Sequence, residues 1–171
     1  MADRRPADVR IRPATGADLP AIAAIYNHAI RHTAATWDLE EETVESRRVW
    51  WEAHCRAGLP VLVAERPGLG VVGWGSLSPF NPKPGWRFTV ENSLYVAPDQ
   101  RGQGIGRRLL EALIAEARAL GMHSVIAAID GGNEVSLRLH RRLGFVEAGR
   151  LREAGWKFDQ WHDAVYLQLL L

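Results

Sequence analysis

The run Val96-Ala-Pro-Asp-Gln-Arg-Gly-Gln-Gly-Ile-Gly-Arg-Arg108 constrains this chain more than any other stretch. An apolar strand closes at Pro98, a glycine-rich turn follows, and the turn opens a helix. That helix carries Leu109, Leu110, Leu113, Ile114 and Ala117 on one stripe and stops at Gly121. Unpaired N–H groups at a helix N-terminus attract anions, and glycine lets a phosphate approach the backbone. Arg101 and Arg107 add positive charge at the two ends. A single glycine would read as an ordinary turn beside a solvated basic helix start. Three at alternate positions, Gly102, Gly104 and Gly106, read as a phosphate cradle. A Walker loop closes on Gly-Lys-Ser/Thr, whereas here Gly106 is followed by two arginines. A dinucleotide fingerprint spaces its glycines G-x-G-x-x-G directly after a first strand. Here the spacing is G-x-G-x-G and residues 98–101 intervene.

Other elements arrange themselves around this loop. Residues 8–13 alternate and predict a short strand. Asp18 reads as the cap of a helix with Leu19, Ile22, Ala23, Ile25, Tyr26 and Ile30 at helical spacing. A second helix fits Thr43 to Arg56 and ends at Gly58. Pro60–Glu65 and Val71–Leu77 predict an antiparallel pair about the turn 67–70, and Phe88–Val96 a long strand. Beyond the loop helix come a strand at 124–129, a helix at 133–143, and two strands, from Phe145 and at 161–170. This order predicts an α/β chain with a mixed sheet and helices on both faces. A length of 171 residues suits one domain, with residues 1–7 expected to be flexible.

The formal net charge of +1, without a basic block, gives no expectation of nucleic acid or an anionic membrane as partner. Cys55 is the only cysteine, so an intramolecular disulfide is impossible. No apolar run approaches the roughly 18 residues of a membrane span. The first ten residues are charged and lack the apolar core of a secretory signal, so the cytoplasm is expected. His28 and His32 stand at i, i+4, a zinc-like spacing, but no third ligand accompanies them and no metal is expected.

Arg101-Gly-Gln-Gly-Ile-Gly106 resembles the pyrophosphate loop of the GCN5-related acetyltransferase superfamily. Asn133-Glu-Val-Ser-Leu-Arg-Leu-His-Arg-Arg-Leu-Gly-Phe145 resembles that superfamily's second signature. Four further runs are similar to its phosphinothricin and methionine-sulfone acetyltransferase branch: 25–30 (IYNHAI), 32–37 (HTAATW), 88–96 (FTVENSLYV) and 157–163 (KFDQWHD). The resemblance implies a splayed sheet with acetyl-CoA between two parting strands. Backbone groups of Leu94, Tyr95 and Val96 would pair with the pantetheine arm. The amides of Gly102, Gln103, Gly104, Ile105, Gly106 and Arg107 would hold the pyrophosphate, with Arg101 beside them. Asn133 would lie near cofactor and substrate. Relatives of this branch usually carry one more arginine in the loop before Arg87; here Asn81 stands near that position, with Lys83 close by.

Acetyl transfer to an amine needs a neutral nitrogen, and most amines are protonated at neutral pH, so a general base helps. Glu91 stands in an otherwise apolar strand and matches the base of the resembled branch; the bland alternative is a solvent-facing or arginine-paired carboxylate. Arg87, Thr89 and Glu91 would share a strand face, with Arg87 and Glu91 about 13 Å apart. Arg87 would grip a carboxylate, phosphinate or sulfone oxygen, or else pair with Glu91. His140 takes the place of the superfamily's thiolate-protonating tyrosine and could serve as acid or oxyanion donor, or be structural. Trp37, Gly85, Trp86 and Val135 complete the expected substrate wall. The small-molecule acetyltransferase stands against two alternatives, a non-catalytic acyl-CoA sensor and a protein N-terminal acetyltransferase. A homodimer is expected from the apolar C-terminal hairpin and from the resemblance, which places Lys157 and Trp161 near the partner's pocket.

Overall fold

Seven strands form one sheet in the order β1-β2-β3-β4-β5-β7-β6. The structure is a computed structural model and describes residues 9–171, so the expectation for residues 1–7 lies outside the described residues. The strands are β1 (Arg10–Pro13), β2 (Val61–Arg66), β3 (Gly70–Pro79), β4 (Thr89–Val96), β5 (Ser124–Asp130), β6 (Val146–Lys157) and β7 (Gln160–Leu170). All neighbours are antiparallel except β4 and β5, which run parallel. The helices are α1 (Leu19–His32), α2 (Val44–Ala57), α3 (Ile105–Ala119) and α4 (Glu134–Arg142).

Periodicity decides which face each helix covers. The stripe of α3 buries Leu109, Leu110 and Leu113 completely against Leu62, Leu77, Val90 and Val125, and Leu137 of α4 joins the same cluster. Each such leucine stabilises the fold by about 1.5–3 kcal/mol. On the other face α1 packs Leu19, Ile22 and Tyr26 onto Val61, Val63 and Trp74. Gly58, at φ 66°, ends α2 in the left-handed conformation.

Two local expectations fail. Asp18 does not cap α1: Arg12 takes its carboxylate in a bidentate pair at 2.7 and 2.9 Å, and the Thr15 amide donates to it at 2.8 Å. A short-range cap lost to a charged fork from the neighbouring strand. The strand expected from Phe88 begins one residue later. Pro84–Trp86 form a 3-10 turn that continues through Arg87 in helical geometry, so Arg87 shares no strand face with Glu91.

The feature that matters for function is a gap. β4 and β5 pair only over Thr89–Glu91 and Ser124–Ile126. Beyond that point β4 stays with β3 as far as Val96, and β5 stays with β7 as far as Asp130. The two strands part, and one edge of each faces the other across open space.

Candidate active site between two parting strands

The main-chain polarity of β4 follows from its first and last bonds. Phe80 N–H donates to the Thr89 carbonyl and Ala97 N–H to that of Val72, so the odd-numbered residues of β4 face β3. Phe88 accepts from His123 and Ser124 on the β5 side, which fixes the even-numbered residues toward the gap. A Cβ placed on Gly73 would sit 3.0 Å from the Tyr95 carbonyl oxygen, and one on Gly75 3.0 Å from that of Ser93. Leu94 and Val96 therefore offer amide groups to the gap. Tyr95 does not: its backbone is turned to β3, a correction to the expectation of three consecutive residues, which the pleat forbids. The Tyr95 ring instead packs tilted on Trp74 and edge-on to Tyr26, with centroids 4.9 and 5.1 Å away, and its hydroxyl donates to the Ala35 carbonyl.

At the end of this edge lies the glycine loop. Gly102 and Gly104 take φ of 74° and 79°, and a Cβ on either would meet no atom within 4 Å, so the loop opens onto free space. Gly104 precedes the first turn of α3, whose amides have no partner in the helix and whose first turn carries no acidic side chain. Gly106 sits against Leu94 and Val96, which brings the helix N-terminus to the open strand edge. Ile105 is buried in the core, so only its amide is free for a ligand. Arg66 braces the loop, bonding Gln100 and, at 2.7 Å, Gln103. The two flanking arginines are partly committed: Arg101 donates to the Val96 carbonyl and Arg107 to Glu111.

Glu91, Leu94, Tyr95, Trp37, Asn133 and His140 line one cleft of about 260 Å³ at the gap. Alternation along β4 puts Glu91 on the α1 side of the sheet and Asn92 on the α3 and α4 side. Glu91 is half-buried, and burial alone pushes its carboxyl above the ordinary range. His140 is 2 % exposed and burial lowers its pKa, so it is neutral. Its Nδ1 is 2.9 Å from the Ser136 carbonyl and its Nε2 3.0 Å from Asn92 Nδ2. The Asn133 side chain caps α4 by accepting from the Ser136 amide.

Gly85, Trp86, Arg87 and Val135 are exposed and lie outside the lining of the cleft. Trp86 packs on Phe80, and Arg87 donates to the Pro84 carbonyl and covers the Phe88 ring. The Arg87–Glu91 pair is not formed.

The sequence did not single out Asp38, Asn92 or Ser136, which also line the cleft. Asn92 carried a readable signal, a polar residue between Val90 and Leu94 on an apolar face. Asp38 carried none, because its role comes from distant partners. Tyr26 donates to Asp38 at 2.6 Å and shares a hydrogen bond with Thr36, while Lys157 reaches the Thr36 carbonyl at 2.8 Å. Trp37 then lies on the β6–β7 hairpin, its ring against Gly155 and edge-on to His162. A Cβ at Gly155 would stand 2.4 Å from that ring. Gly155→Ala is therefore expected to displace the Trp37 ring. A shift in the tryptophan emission of the folded variant checks it.

A parted parallel strand pair, an open strand edge and a glycine-lined helix N-terminus at its end are the arrangement that the resemblance implies. The chain belongs to the acetyltransferase (GNAT) family, whose sequence profile matches residues 22–145. By family it is an N-acetyltransferase. It is 47 % identical over 161 residues to an L-methionine sulfoximine/L-methionine sulfone acetyltransferase of Pseudomonas paraeruginosa, covering 94 % of each chain. It is 44 % identical to a phosphinothricin N-acetyltransferase of Alcaligenes faecalis, covering 88 % of this chain and 77 % of that one. The solved structure of yncA from Salmonella typhimurium with its cofactor acetyl-CoA superposes with a TM-score of 0.93. Its sequence identity is 43 %, over 96 % of this chain and 94 % of that one. Among the described residues no cluster of side chains suited to a metal ion is found.

Proposed function

We propose that this protein transfers the acetyl group of acetyl-CoA to the amine of a small amino-acid analogue of the methionine sulfoximine, methionine sulfone or phosphinothricin type. Transfer is direct, with Glu91 as general base. The observation that carries the reading is the placement of Glu91: a half-buried carboxylate at the point where β4 and β5 part, beside the open amides of Leu94 and Val96. The names and identities of the relatives support the substrate class.

Acetyl-CoA supplies an activated thioester carbonyl. The amides of Gly102–Arg107 suit its pyrophosphate, because they are free, glycine-lined and at the positive end of a 15-residue helix. Leu94 and Val96 suit its amide-bearing arm. The amine arrives from the α1 face as an ammonium ion, and Glu91 takes its proton, directly or through one water. Burial helps, since a carboxylate with a raised pKa is the stronger base. Trp37, held by Gly155 and His162, walls the acceptor side.

A thiol-release assay with methionine sulfoximine, methionine sulfone, phosphinothricin and short peptides tests this reading. Turnover of the first three supports it. Turnover of peptides alone identifies a protein N-terminal acetyltransferase, and acetyl-CoA binding without any turnover identifies a sensor.

The same reading includes a homodimer. Trp156 and Trp161 meet edge-to-face with centroids 4.9 Å apart yet remain 50 % and 59 % exposed, and Phe158 is half-exposed beside them. Val165 and Leu167 of the same hairpin are fully buried in their own core, so the apolar surface divides along the strand, exposed at its turn end and buried further in. Two such aromatic patches brought together by a two-fold axis would cover each other. Sedimentation at micromolar concentration is expected to give twice the chain mass. Trp161→Ala is expected to weaken the dimer at least tenfold and to raise the amine KM, since the hairpin also supports Trp37.

A further inference from the structure

The sequence offers His140 as an acid for the departing thiolate, as an oxyanion donor or as a structural residue. Its hydrogen bonds count against the first. Nδ1 lies 2.9 Å from the Ser136 carbonyl, which can only accept, so Nδ1 carries a proton. A neutral imidazole has one N–H. Nε2 is then a bare lone pair, and it accepts from Asn92 Nδ2–H at 3.0 Å. The other orientation of the Asn92 amide would set its carbonyl oxygen against that lone pair. His140 thus selects one amide orientation, and Asn92 Oδ1 is turned away from the ring.

That oxygen is the unusual atom. Asn92 is 93 % buried by its 7 % exposure, lines the cleft, and its Oδ1 has no hydrogen-bond partner among the described residues. A buried, unsatisfied amide oxygen costs about 1–3 kcal/mol, so its presence in a cleft points to a partner that arrives with a ligand. The partner must be an N–H or O–H donor. Asn92 shares the α3 and α4 side of the sheet with Leu94 and Val96, the side on which the glycine loop lies.

Resting on the acetyl-CoA reading above, we infer that Asn92 is a ligand-contacting residue whose Oδ1 accepts an amide N–H of the acetyl donor's arm, and that His140 is the positioning residue that aims it. Asn92→Ala should raise the KM and Kd of acetyl-CoA about tenfold, the worth of one hydrogen bond, while amine KM stays within about twofold. The amine nitrogen offers the same donor chemistry, and the two KM values separate the sources: a rise in amine KM alone overturns the assignment. His140→Ala should raise acetyl-CoA KM several-fold, and His140→Gln, whose side-chain oxygen can again accept from Asn92, should recover most of that loss. The basic limb of the kcat profile should not move in either variant. A loss of kcat of about a hundredfold in both, with acetyl-CoA KM unchanged, would restore His140 as the acid.

Should either variant fail to fold, nitrogen-15 spectra of the wild-type histidines still decide the tautomer. A ring protonated at Nδ1 and bare at Nε2 is expected at pH 8. A ring protonated at Nε2 there overturns the inference. If the wild type binds no acetyl-CoA, the functional reading falls and the Asn92 contact with it. If the wild type binds and Asn92→Ala binds equally well, only the contact falls.

Discussion

Replacing Glu91 by glutamine is expected to lower kcat at pH 7 by about a hundredfold or more, with acetyl-CoA Kd within about twofold of wild type. Glutamine keeps the shape and the cleft but cannot take a proton. The deficit should shrink as pH rises, because a growing fraction of the amine is already neutral. A deficit that is constant with pH, or none, would remove Glu91 from proton transfer. Stability supplies an independent check with the opposite sign. Burial raises the folded-state pKa of Glu91. The folded protein then holds this proton more tightly than the unfolded chain, and stability falls as pH climbs from the unfolded value of about 4.3 through the raised folded value. Glu91→Gln removes that loss. The variant should melt higher than wild type at pH 7–8, and the difference should vanish below about pH 4. Calorimetric melting across that range reads it. Inactivation coupled to stabilisation is what a buried catalytic group shows, whereas an equally buried carboxylate without a part in proton transfer would show the stabilisation alone.

The second large effect is on donor binding. Gly104→Val is expected to weaken acetyl-CoA at least a hundredfold in calorimetry. Two causes act there together. A β-branched residue at φ 79° is strained, and its side chain enters the open space that the phosphate needs. Gly106→Val separates them. Gly106 has helical geometry, and a Cβ there would meet Leu139, Leu94 and Val96 at ordinary distances of 3.5–3.9 Å. Where it folds, this variant should lose most of its acetyl-CoA affinity, because the added methyl groups crowd the space between the helix end and the open edge at Leu94 and Val96. Unchanged affinity in a folded Gly106→Val protein would remove the pyrophosphate from this loop.

Local sequence carried the elements and the loop, because glycine spacing, helical stripes and strand alternation are short-range signals. It failed where two signals compete. Asp18 looked like a cap, but Arg12 on β1 holds it. Arg87 looked like a strand residue, but Pro84 and Gly85 wind the chain into a turn that ends on it. The resemblance implies a backbone contact from three consecutive residues of β4, but neighbouring residues face opposite ways, and Tyr95 is the one turned to β3. The wall of the cleft was out of reach for another reason. Lys157 meets Thr36 across 121 residues, and Trp37 rests on Gly155, a glycine with no motif around it. Such contacts exist only once β6 and β7 have been laid beside β5. The orphaned oxygen of Asn92 belongs to the same kind, since the sequence marks the residue but not the histidine that turns it.

The parting of β4 and β5 also bears on how such an enzyme can change. Under the proposed function the donor takes the side of the opening toward the loop 98–107 and α4, and the acceptor the side toward residues 35–38, on which Gly155 and His162 of the far hairpin hold Trp37. These are separate stretches of chain on opposite surfaces of one rigid sheet. Substitutions that reshape the acceptor's surroundings therefore leave the donor's surroundings almost untouched. A lineage built this way can try new amines one at a time without ever losing its supply of activated acetyl groups. Selection for a new acceptor should accordingly gather its changes around Trp37, Asp38 and Gly155, and leave 98–107 as it stands.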